Sequence, residues 1–275
     1  MRHSSLIVLL LMSLFLTACG PAAIIGAVGS AITRTAYKND AKVNDYSQPN
    51  QRGNDTEIAI ANMNLGIAYM QEGYLEKALE KLTRARQIKP DYPPIYNALG
   101  VLHQNMREYS IAEDYFKIAI ELNPDDSSAL NNYGLLLCNS QRYEEANEIF
   151  LRAASNPLYA TPELAYNNAG TCAVNNGQIE LAEKYFNEAL RRNPRVGPAL
   201  IQMSEITYEQ GNYMPAKGYL DRYLELYNHS AKSLWLGIQI ERELGDKDAV
   251  SSYTLLLRNQ YSESEEAKLL SQSVH

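Results

Sequence analysis

One alanine recurs along the chain at a nearly constant interval, and this repetition constrains the fold more than any other feature of the sequence. Successive alanines are 34, 34, 36 and 34 residues apart, at Ala78, Ala112, Ala146, Ala182 and Ala216. Four residues after each alanine stands a large apolar side chain: Leu82, Phe116, Phe150, Phe186 and Leu220. A chain with such a period builds one structural unit several times over.

Each unit is predicted to consist of two antiparallel helices. A glycine such as Gly100 lies one turn after an aromatic residue on the first helix, so both share a face. We expect this glycine to allow close approach of the second helix, with the alanine filling the facing gap. A proline such as Pro124 then ends the unit, because proline cannot continue a helix. The pattern and its period are those of the tetratricopeptide repeat.

One such unit cannot bury its apolar face alone, so the units must stack. The sequence therefore predicts an all-α fold, a right-handed superhelical solenoid of six tetratricopeptide (helix-turn-helix) repeats over residues 58–262. Thr161 and Pro162 lengthen one turn between repeats, and the sixth repeat is degenerate. The six repeats are assigned to 59–92, 93–126, 127–160, 163–196, 197–230 and 231–262, followed by a C-terminal cap and tail at 263–275.

The N-terminus carries the features of a secretory signal. An apolar run begins at Leu6, behind Arg2, and ends in Leu16-Thr17-Ala18-Cys19, which resembles the lipobox of bacterial lipoproteins. This likeness predicts a lipoprotein signal peptide at 1–18, an acylated Cys19 carrying palmitate-type chains, and a flexible tether at 19–57. Several acyl chains hold a protein firmly on a membrane, since each buried methylene contributes about 0.8 kcal/mol. Gly20, rather than aspartate, follows Cys19, which implies sorting to the outer membrane.

An uncleaved anchor is the alternative, because the apolar and small residues from Leu6 to Ile32 are long enough to span a bilayer. The small residues before Cys19 favour cleavage, since an anchor has no use for them.

Charge and cysteine content narrow the function. The net charge of −7 argues against nucleic acid as a partner, because nucleic acids attract clustered lysine and arginine. Cys138 and Cys172 occupy neighbouring repeats at offsets two residues apart, so they project about 200° apart on equivalent helices. This does not exclude a bridge in an oxidising compartment, but we expect free buried thiols.

No catalytic or metal site is predicted, and no cofactor or small-molecule substrate. His103 occupies a repeat position filled by Tyr69 in the first unit, which favours a core role. Asp125 and Asp126 follow Pro124 at a turn into a helix, where carboxylates favour the helix dipole. Nucleophile elbows and phosphate-binding glycine loops are absent. We therefore expect a binding protein rather than an enzyme.

A partner-binding groove is predicted along the first helices, at repeat positions 2, 5, 9 and 12. In the first repeat these positions are all apolar, and methionines there suit a surface that accepts another chain. Asparagines at positions 5 and 6 continue the groove, and their amides can donate to and accept from a guest backbone. The predicted groove residues are Ile60, Met63, Asn64, Ile67, Met70, Asn97, Val101, Asn131 and Leu135.

Two alternatives stay open for this surface. Apolar tether residues such as Ile24 and Ile32 could fold over the first repeat and use the stripe as their own core. Trp235 lies at a groove position of the sixth repeat, where we expect packing under the C-terminal helix rather than a role as anchor.

Three stretches resemble a known family. They are Asn131-Asn132-Tyr133-Gly134 with Arg142-Tyr143-Glu144-Glu145-Ala146, Asn156-Pro157-Leu158-Tyr159, and Ser233-Leu234-Trp235-Leu236-Gly237-Ile238. With the lipobox and six repeats, they resemble the type IV pilus biogenesis/stability lipoproteins, the PilF/PilW group of pilotins.

That resemblance implies a lipid-anchored protein on the periplasmic face of the outer membrane. Its implied partner is the secretin subunit of the type IV pilus, whose outer-membrane localisation and oligomerisation it would promote. Other tetratricopeptide lipoproteins remain as alternatives: an adaptor for peptidoglycan hydrolases or an assembly factor for outer-membrane proteins. A sugar-binding or enzymatic role on peptidoglycan would require a carboxylate pair in a cleft, which the sequence does not provide.

Overall fold

The computed structural model describes residues 49–272, which form thirteen helices and no strand. The sequence prediction of an all-α solenoid of tetratricopeptide repeats is confirmed. The helices are α1 Pro49–Gln71, α2 Leu75–Ile88, α3 Pro93–Asn105, α4 Tyr109–Leu122, α5 Ser127–Asn139, α6 Tyr143–Ser155, α7 Pro162–Asn175, α8 Ile179–Arg192, α9 Gly197–Glu209, α10 Tyr213–Leu226, α11 Ala231–Leu244, α12 Lys247–Gln260 and α13 Glu265–Gln272.

The lipidation site Cys19 and the signal peptide lie outside the described residues. The predicted tether is partly described, because α1 begins at Pro49 and residues 49–57 are therefore helical rather than an irregular linker. No described helix combines the length and apolar character needed to cross a bilayer.

A left-handed residue ends the first helix of each repeat. In four repeats it is a glycine with φ between 72° and 80°, namely Gly73, Gly177, Gly211 and Gly245. Arg107 and Gln141 take the equivalent place in the second and third repeats, with φ of 62° and 60°. Side chains strain the backbone there, whereas glycine does not. The turn geometry therefore belongs to the fold and not to the glycine alone.

The first-helix glycines lie under the large side chain of the second helix. A Cβ built on Gly134 would be 2.7 Å from the ring of Phe150, and one on Gly100 would be 2.6 Å from Phe116. The sequence expectation of a facing alanine is thus corrected, since the aromatic ring fills the gap above the glycine. Ser204 replaces this glycine in the fifth repeat and donates from Oγ to the Ala216 carbonyl, at 2.8 Å.

Successive first helices pack on one another, whereas second helices pack on their own first helix and on the next. The first helices of the six repeats consequently form the tighter layer, which is the inner, concave side of the stack. They are α1, α3, α5, α7, α9 and α11. Rings such as Phe116, Phe150 and Phe186 form the central core between the layers and are fully buried.

The longest turn between repeats is anchored rather than loose. Residues 156–161 join α6 to α7, and Asn156 Nδ2 donates to the Asp125 carbonyl at 2.9 Å and to Ser127 Oγ at 3.0 Å. The Leu158 amide donates back to Asn156 Oδ1 at 2.9 Å, which leaves the Leu158 side chain 89 % exposed. These hydrogen bonds of Asn156 give the stretch Asn156-Pro157-Leu158-Tyr159, one of those that resemble the pilus family, a structural role in this turn.

The two cysteines form a disulfide, so the expectation of free buried thiols is wrong. Cys138 of α5 and Cys172 of α7 have Cα atoms 5.8 Å apart and are joined through their sulfurs. The two cysteines stand at different repeat positions, and these positions still face each other, because neighbouring first helices are rotated relative to one another. The bridge fixes the third repeat to the fourth on the concave side.

The C-terminal helix covers the last repeat. Leu270 of α13 is buried in one cluster with Leu234, Ile238 and Leu257, and Trp235 packs against that cluster. The placement of Trp235 agrees with the expected packing role.

Candidate partner-binding groove

The first repeat contributes an apolar floor to the concave side. Ile60, Ile67 and Met70 are half-buried on α1, whereas Asn64 is exposed. Met63 is only 9 % exposed, so the expectation of four exposed apolar side chains is corrected. Met63 supports the floor from below, and the accessible apolar surface comes from the other three side chains.

An amide ladder crosses the next three repeats; we use this name for Asn97, Asn131, Asn132, Asn167 and Asn168. Asn132 Nδ2 of α5 donates to Asn97 Oδ1 of α3, at 2.9 Å. Asn168 Nδ2 of α7 donates to Asn131 Oδ1 of α5, at 3.0 Å. In both rungs an asparagine at repeat position 5 accepts from position 6 of the following repeat.

The ladder has an open end at Asn167. Gln202 of α9 occupies the position from which the next rung would come, but its Nε2 donates to Glu205 at 3.1 Å. Asn167 Oδ1 is consequently a buried acceptor without a hydrogen bond among the described residues, and its side chain is 8 % exposed. Asn167 Nδ2 reaches Asn168 Oδ1 at 3.4 Å, near the limit of a hydrogen bond.

The sequence singled out Asn97 and Asn131 as groove residues but missed their pairing across repeats. The signal was present as asparagines at positions 5 and 6 of consecutive units. The register between neighbouring first helices is not visible in the sequence, and this register decides which residues of one helix face those of the next. Val101 and Leu135 are half-buried beside the ladder, and Asn131 is 9 % exposed.

Groove chemistry changes at the fifth repeat. No charged side chain stands at groove positions 2, 5, 9 and 12 of the first four repeats, where the residues are Ile60, Met63, Ile67, Met70, Pro94, Asn97, Val101, Gln104, Ser128, Asn131, Leu135, Cys138, Leu164, Asn167, Thr171 and Val174. In the last two repeats Lys232 pairs with Glu205 at 2.7 Å, and Arg242 lies 5.8 Å from the Trp235 ring. The uncharged groove therefore ends where these charges begin.

The residues considered for chemistry have structural roles. His103 is buried, with Nδ1 2.5 Å from Glu108 Oε2 and its ring stacked on Tyr115. Asp126 caps α5, where Oδ1 accepts from the Ser128 and Ala129 amides at 3.1 Å each. Within residues 49–272, no three metal-ligating side chains come together.

A polar cluster lies between the second and third repeats, away from the groove positions. Arg142 Nη1 donates to Glu113 Oε1 at 2.9 Å, and Tyr133 Oη donates to the same oxygen at 2.9 Å. Burial would raise the pKa of the Glu113 carboxyl, but hydrogen bonds from Lys117, Arg142 and Tyr133 outweigh it and hold the pKa below its ordinary value. Burial, reinforced by Glu113, raises the pKa of Tyr133 to about 12.

Comparison with known proteins places these repeats in context. The TPR repeat model matches residues 64–106, and tetratricopeptide repeat models match 97–161 and 164–196. The type IV pilus assembly protein PilF of Pseudomonas aeruginosa is 31 % identical over 210 residues, which are 76 % of this chain and 83 % of that protein.

Two solved structures extend the similarity to the fold. The structure of Pseudomonas aeruginosa PilF superposes with a TM-score of 0.74 at 30 % identity, over 80 % of this chain and 99 % of PilF. PilW, described as a widely conserved type IV pilus biogenesis factor, superposes with a TM-score of 0.69 at 26 % identity, over 78 % and 98 %. These similarities identify the chain as a repeat scaffold of type IV pilus biogenesis rather than an enzyme. The chain belongs to the PilF family of tetratricopeptide-repeat proteins.

Proposed function

We propose that the protein is an outer-membrane lipoprotein adaptor of type IV pilus biogenesis. The concave groove binds a subunit of the pilus secretin, and the acylated Cys19 carries the complex to the periplasmic face of the outer membrane. There the bound subunits oligomerise into the secretin ring.

The observation that carries this proposal is the long uncharged groove of a chain related to PilF over most of its length. Ile60, Ile67 and Met70 present apolar surface at one end of the groove, next to the N-terminal side of the solenoid. Burying such surface against a partner stabilises a complex by roughly 25 cal/mol per Å². A groove without charges fits an apolar or neutral segment of another polypeptide.

The acyl chains and the groove have separate roles, which follow from their chemistry. Acyl chains supply location without selectivity, because they bind any bilayer. Groove side chains supply selectivity without location. We therefore expect the two activities to separate by mutation.

Cys19→Ala tests the location activity. The variant should bind the secretin subunit as wild type does in a pull-down, while secretin sediments with the inner membrane and SDS-resistant rings are lost. Gly20→Ala provides a control at the neighbouring residue that keeps the acylated cysteine. Normal outer-membrane rings in the Cys19→Ala strain would contradict the proposal.

Ile60→Glu with Ile67→Glu tests the binding activity, because both side chains are partly accessible and lie on one face of α1. Secretin binding should fall at least 100-fold while the acylated protein still reaches the outer membrane. Gln71→Glu with Gln87→Glu, at exposed positions of the same repeat, adds the same charge outside the predicted groove positions and is the control. A folded groove variant that binds secretin with wild-type affinity would refute this binding surface.

A further inference from the structure

The turn between α6 and α7 exposes a short apolar stretch on a backbone that is held in place. Leu158 is 89 % exposed, and its neighbours Pro157 and Ala160 are exposed as well. Asn156 fixes this turn, because its Nδ2 donates to the Asp125 carbonyl and its Oδ1 accepts from the Leu158 amide, each at 2.9 Å. The turn therefore presents Leu158 to the surroundings in a defined position.

An arginine of the next repeat lies on the same base as this turn. Tyr159 and Tyr166 both pack against the buried cluster that contains Ala153 and Ala165. The guanidinium of Arg192, at the end of α8, stacks on the Tyr166 ring with its carbon 4.8 Å from the ring centroid. The apolar turn and a cation are thus neighbours across one small aromatic-lined cluster.

Two further arginines extend this positive charge. Arg195 lies in the turn between α8 and α9, and Arg222 Nη2 of α10 donates to the Pro194 carbonyl of that turn, at 3.3 Å. Within residues 49–272, Arg192, Arg195 and Arg222 form no ion pair, whereas Glu188 is engaged by Arg191 at 2.7 Å. All three are exposed. We call these three residues the basic edge.

The repeat topology places the apolar turn and the basic edge on one side of the solenoid. Each second helix ends, and each following first helix begins, at the same edge of the stack. The turns 156–161 and 193–196 are equivalent connections of successive repeats and therefore lie next to each other on that edge. This edge is separate from the concave side, which the first helices form.

An apolar tip beside uncompensated cations selects one kind of surface. Segments that bind at a membrane interface bury apolar side chains just below the headgroups and place arginine or lysine against anionic lipids. A free phosphate would satisfy the arginines but leave Leu158 in water. The rest of this chain, with a net charge of −7, is repelled by an anionic bilayer, so the basic edge determines which side approaches it.

We propose that the edge formed by Leu158 and the basic edge rests on an anionic phospholipid bilayer. Leu158 inserts at the boundary between headgroups and acyl chains, and the three arginines contact lipid phosphates. This contact goes beyond the proposed function, because it orients the solenoid on the membrane in addition to attaching it. The concave groove stays uncovered, since the protein docks through an edge.

Depth-dependent fluorescence quenching tests the orientation. The acylated protein, carrying a fluorescent amino acid at Ala160, is reconstituted into vesicles of phosphatidylcholine with phosphatidylglycerol and with lipids brominated on their acyl chains. The probe should be quenched, and quenching should disappear in vesicles of phosphatidylcholine alone. The same probe at Met214, which is 66 % exposed in the first turn of α10 at the opposite edge, should not be quenched in either vesicle.

Charge variants test the role of the basic edge with the probe at Ala160. Arg192→Gln with Arg195→Gln should lower the ratio of docked to undocked protein roughly 25-fold, at about fivefold for each arginine. Lys77→Gln with Lys247→Gln removes the same charge from exposed positions in the first turns of α2 and α12, at the opposite edge, and should leave the ratio unchanged. Raising the salt concentration should also lower the ratio for wild type.

Leu158→Asn tests the apolar insertion, because it removes the exposed apolar side chain and retains every arginine. The ratio of docked to undocked protein should fall roughly tenfold. An unchanged ratio in this variant would overturn the inserted tip.

Further outcomes separate this inference from the proposed function. Equal quenching at Ala160 and Met214, or no quenching at Ala160, overturns the inference and leaves the secretin adaptor intact. An unquenched Ala160 probe together with loss of secretin binding in Arg192→Gln with Arg195→Gln would assign the basic edge to a protein partner instead. A protein recovered without acyl chains refutes the proposed anchor, and its salt-sensitive sedimentation with phosphatidylglycerol vesicles, lost in Leu158→Asn, would still support this surface.

Discussion

Repeats one to four and repeats five to six share one backbone plan but differ in the chemistry of their concave side. The first set is uncharged at its groove positions and carries the amide ladder, whereas the second holds the Lys232–Glu205 pair and Arg242 against Trp235. The second set also contains the buried Glu241, whose carboxylate accepts from Lys217. The comparison teaches that the repeat determines the scaffold, while a few inward positions determine whether a segment of groove is left available for a partner.

The two sets differ in covalent structure as well, and this difference predicts the largest effect. Cys138 and Cys172 lie 34 residues apart, and a bridge closing a loop of that size contributes about 3 to 4 kcal/mol to the free energy of unfolding. Cys138→Ala with Cys172→Ala should lose that amount in urea unfolding under oxidising conditions. Wild-type protein treated with a reductant provides the control and should lose a similar amount. Equal midpoints for oxidised and reduced protein would contradict the bridge.

Close packing of glycine on an aromatic ring distinguishes the third repeat from an open site in the fifth. Gly134→Ala should lower the free energy of unfolding by about 1 to 3 kcal/mol, because the new Cβ would lie 2.7 Å from Phe150. Gly218→Ala in α10 meets nothing within 4 Å and should raise it by about 0.5 to 1 kcal/mol. Thermal unfolding of both variants checks the pair, and a stabilising Gly134→Ala would overturn the packing argument.

Acid sensitivity should also concentrate in the first set of repeats. The folded-state pKa of Glu113 lies below the ordinary 4.5, so its carboxylate contributes stability above that pH and loses the contribution as pH falls through the lower, folded-state value. Glu113→Gln should therefore lose less of its stability than wild type does as the pH falls below 4.5.

Glu225→Gln at an exposed position of α10 is the control for this effect and should keep the wild-type pH profile. Urea midpoints measured between pH 3 and pH 7 provide the comparison. An unchanged acid profile in Glu113→Gln would exclude the Glu113 cluster as a source of acid sensitivity.

The smallest expected effect comes from the turns. Arg107→Gly relieves a left-handed φ of 62° and should stabilise the protein by up to about 1 kcal/mol, whereas Gly211→Ala should destabilise it by about 1 kcal/mol. Thermal midpoints of the two variants should therefore shift in opposite directions. Shifts of the same sign would show that these turns are not equivalent.

Repeat architecture was predictable from the sequence because period, glycine, alanine and proline are local signals. The register between neighbouring first helices was not predictable from the sequence. Three features depend on that register: the Cys138–Cys172 bridge, the Asn97–Asn132 rung and the unpaired acceptor of Asn167. Burial of Met63 was likewise hidden, because a position number predicts the side of a helix but not how deeply the side chain sits. Candidate groove residues were thus identified from pattern, and their pairing required coordinates.

Site-specific photo-crosslinking in cells tests the central claim most directly. A photoreactive amino acid placed at Val101 or Leu135 of the uncharged groove should form an adduct with the secretin subunit, and one placed at Met214 of α10, which is 66 % exposed, should form none. Secretin adducts from Met214 and none from Val101 or Leu135 would contradict the account.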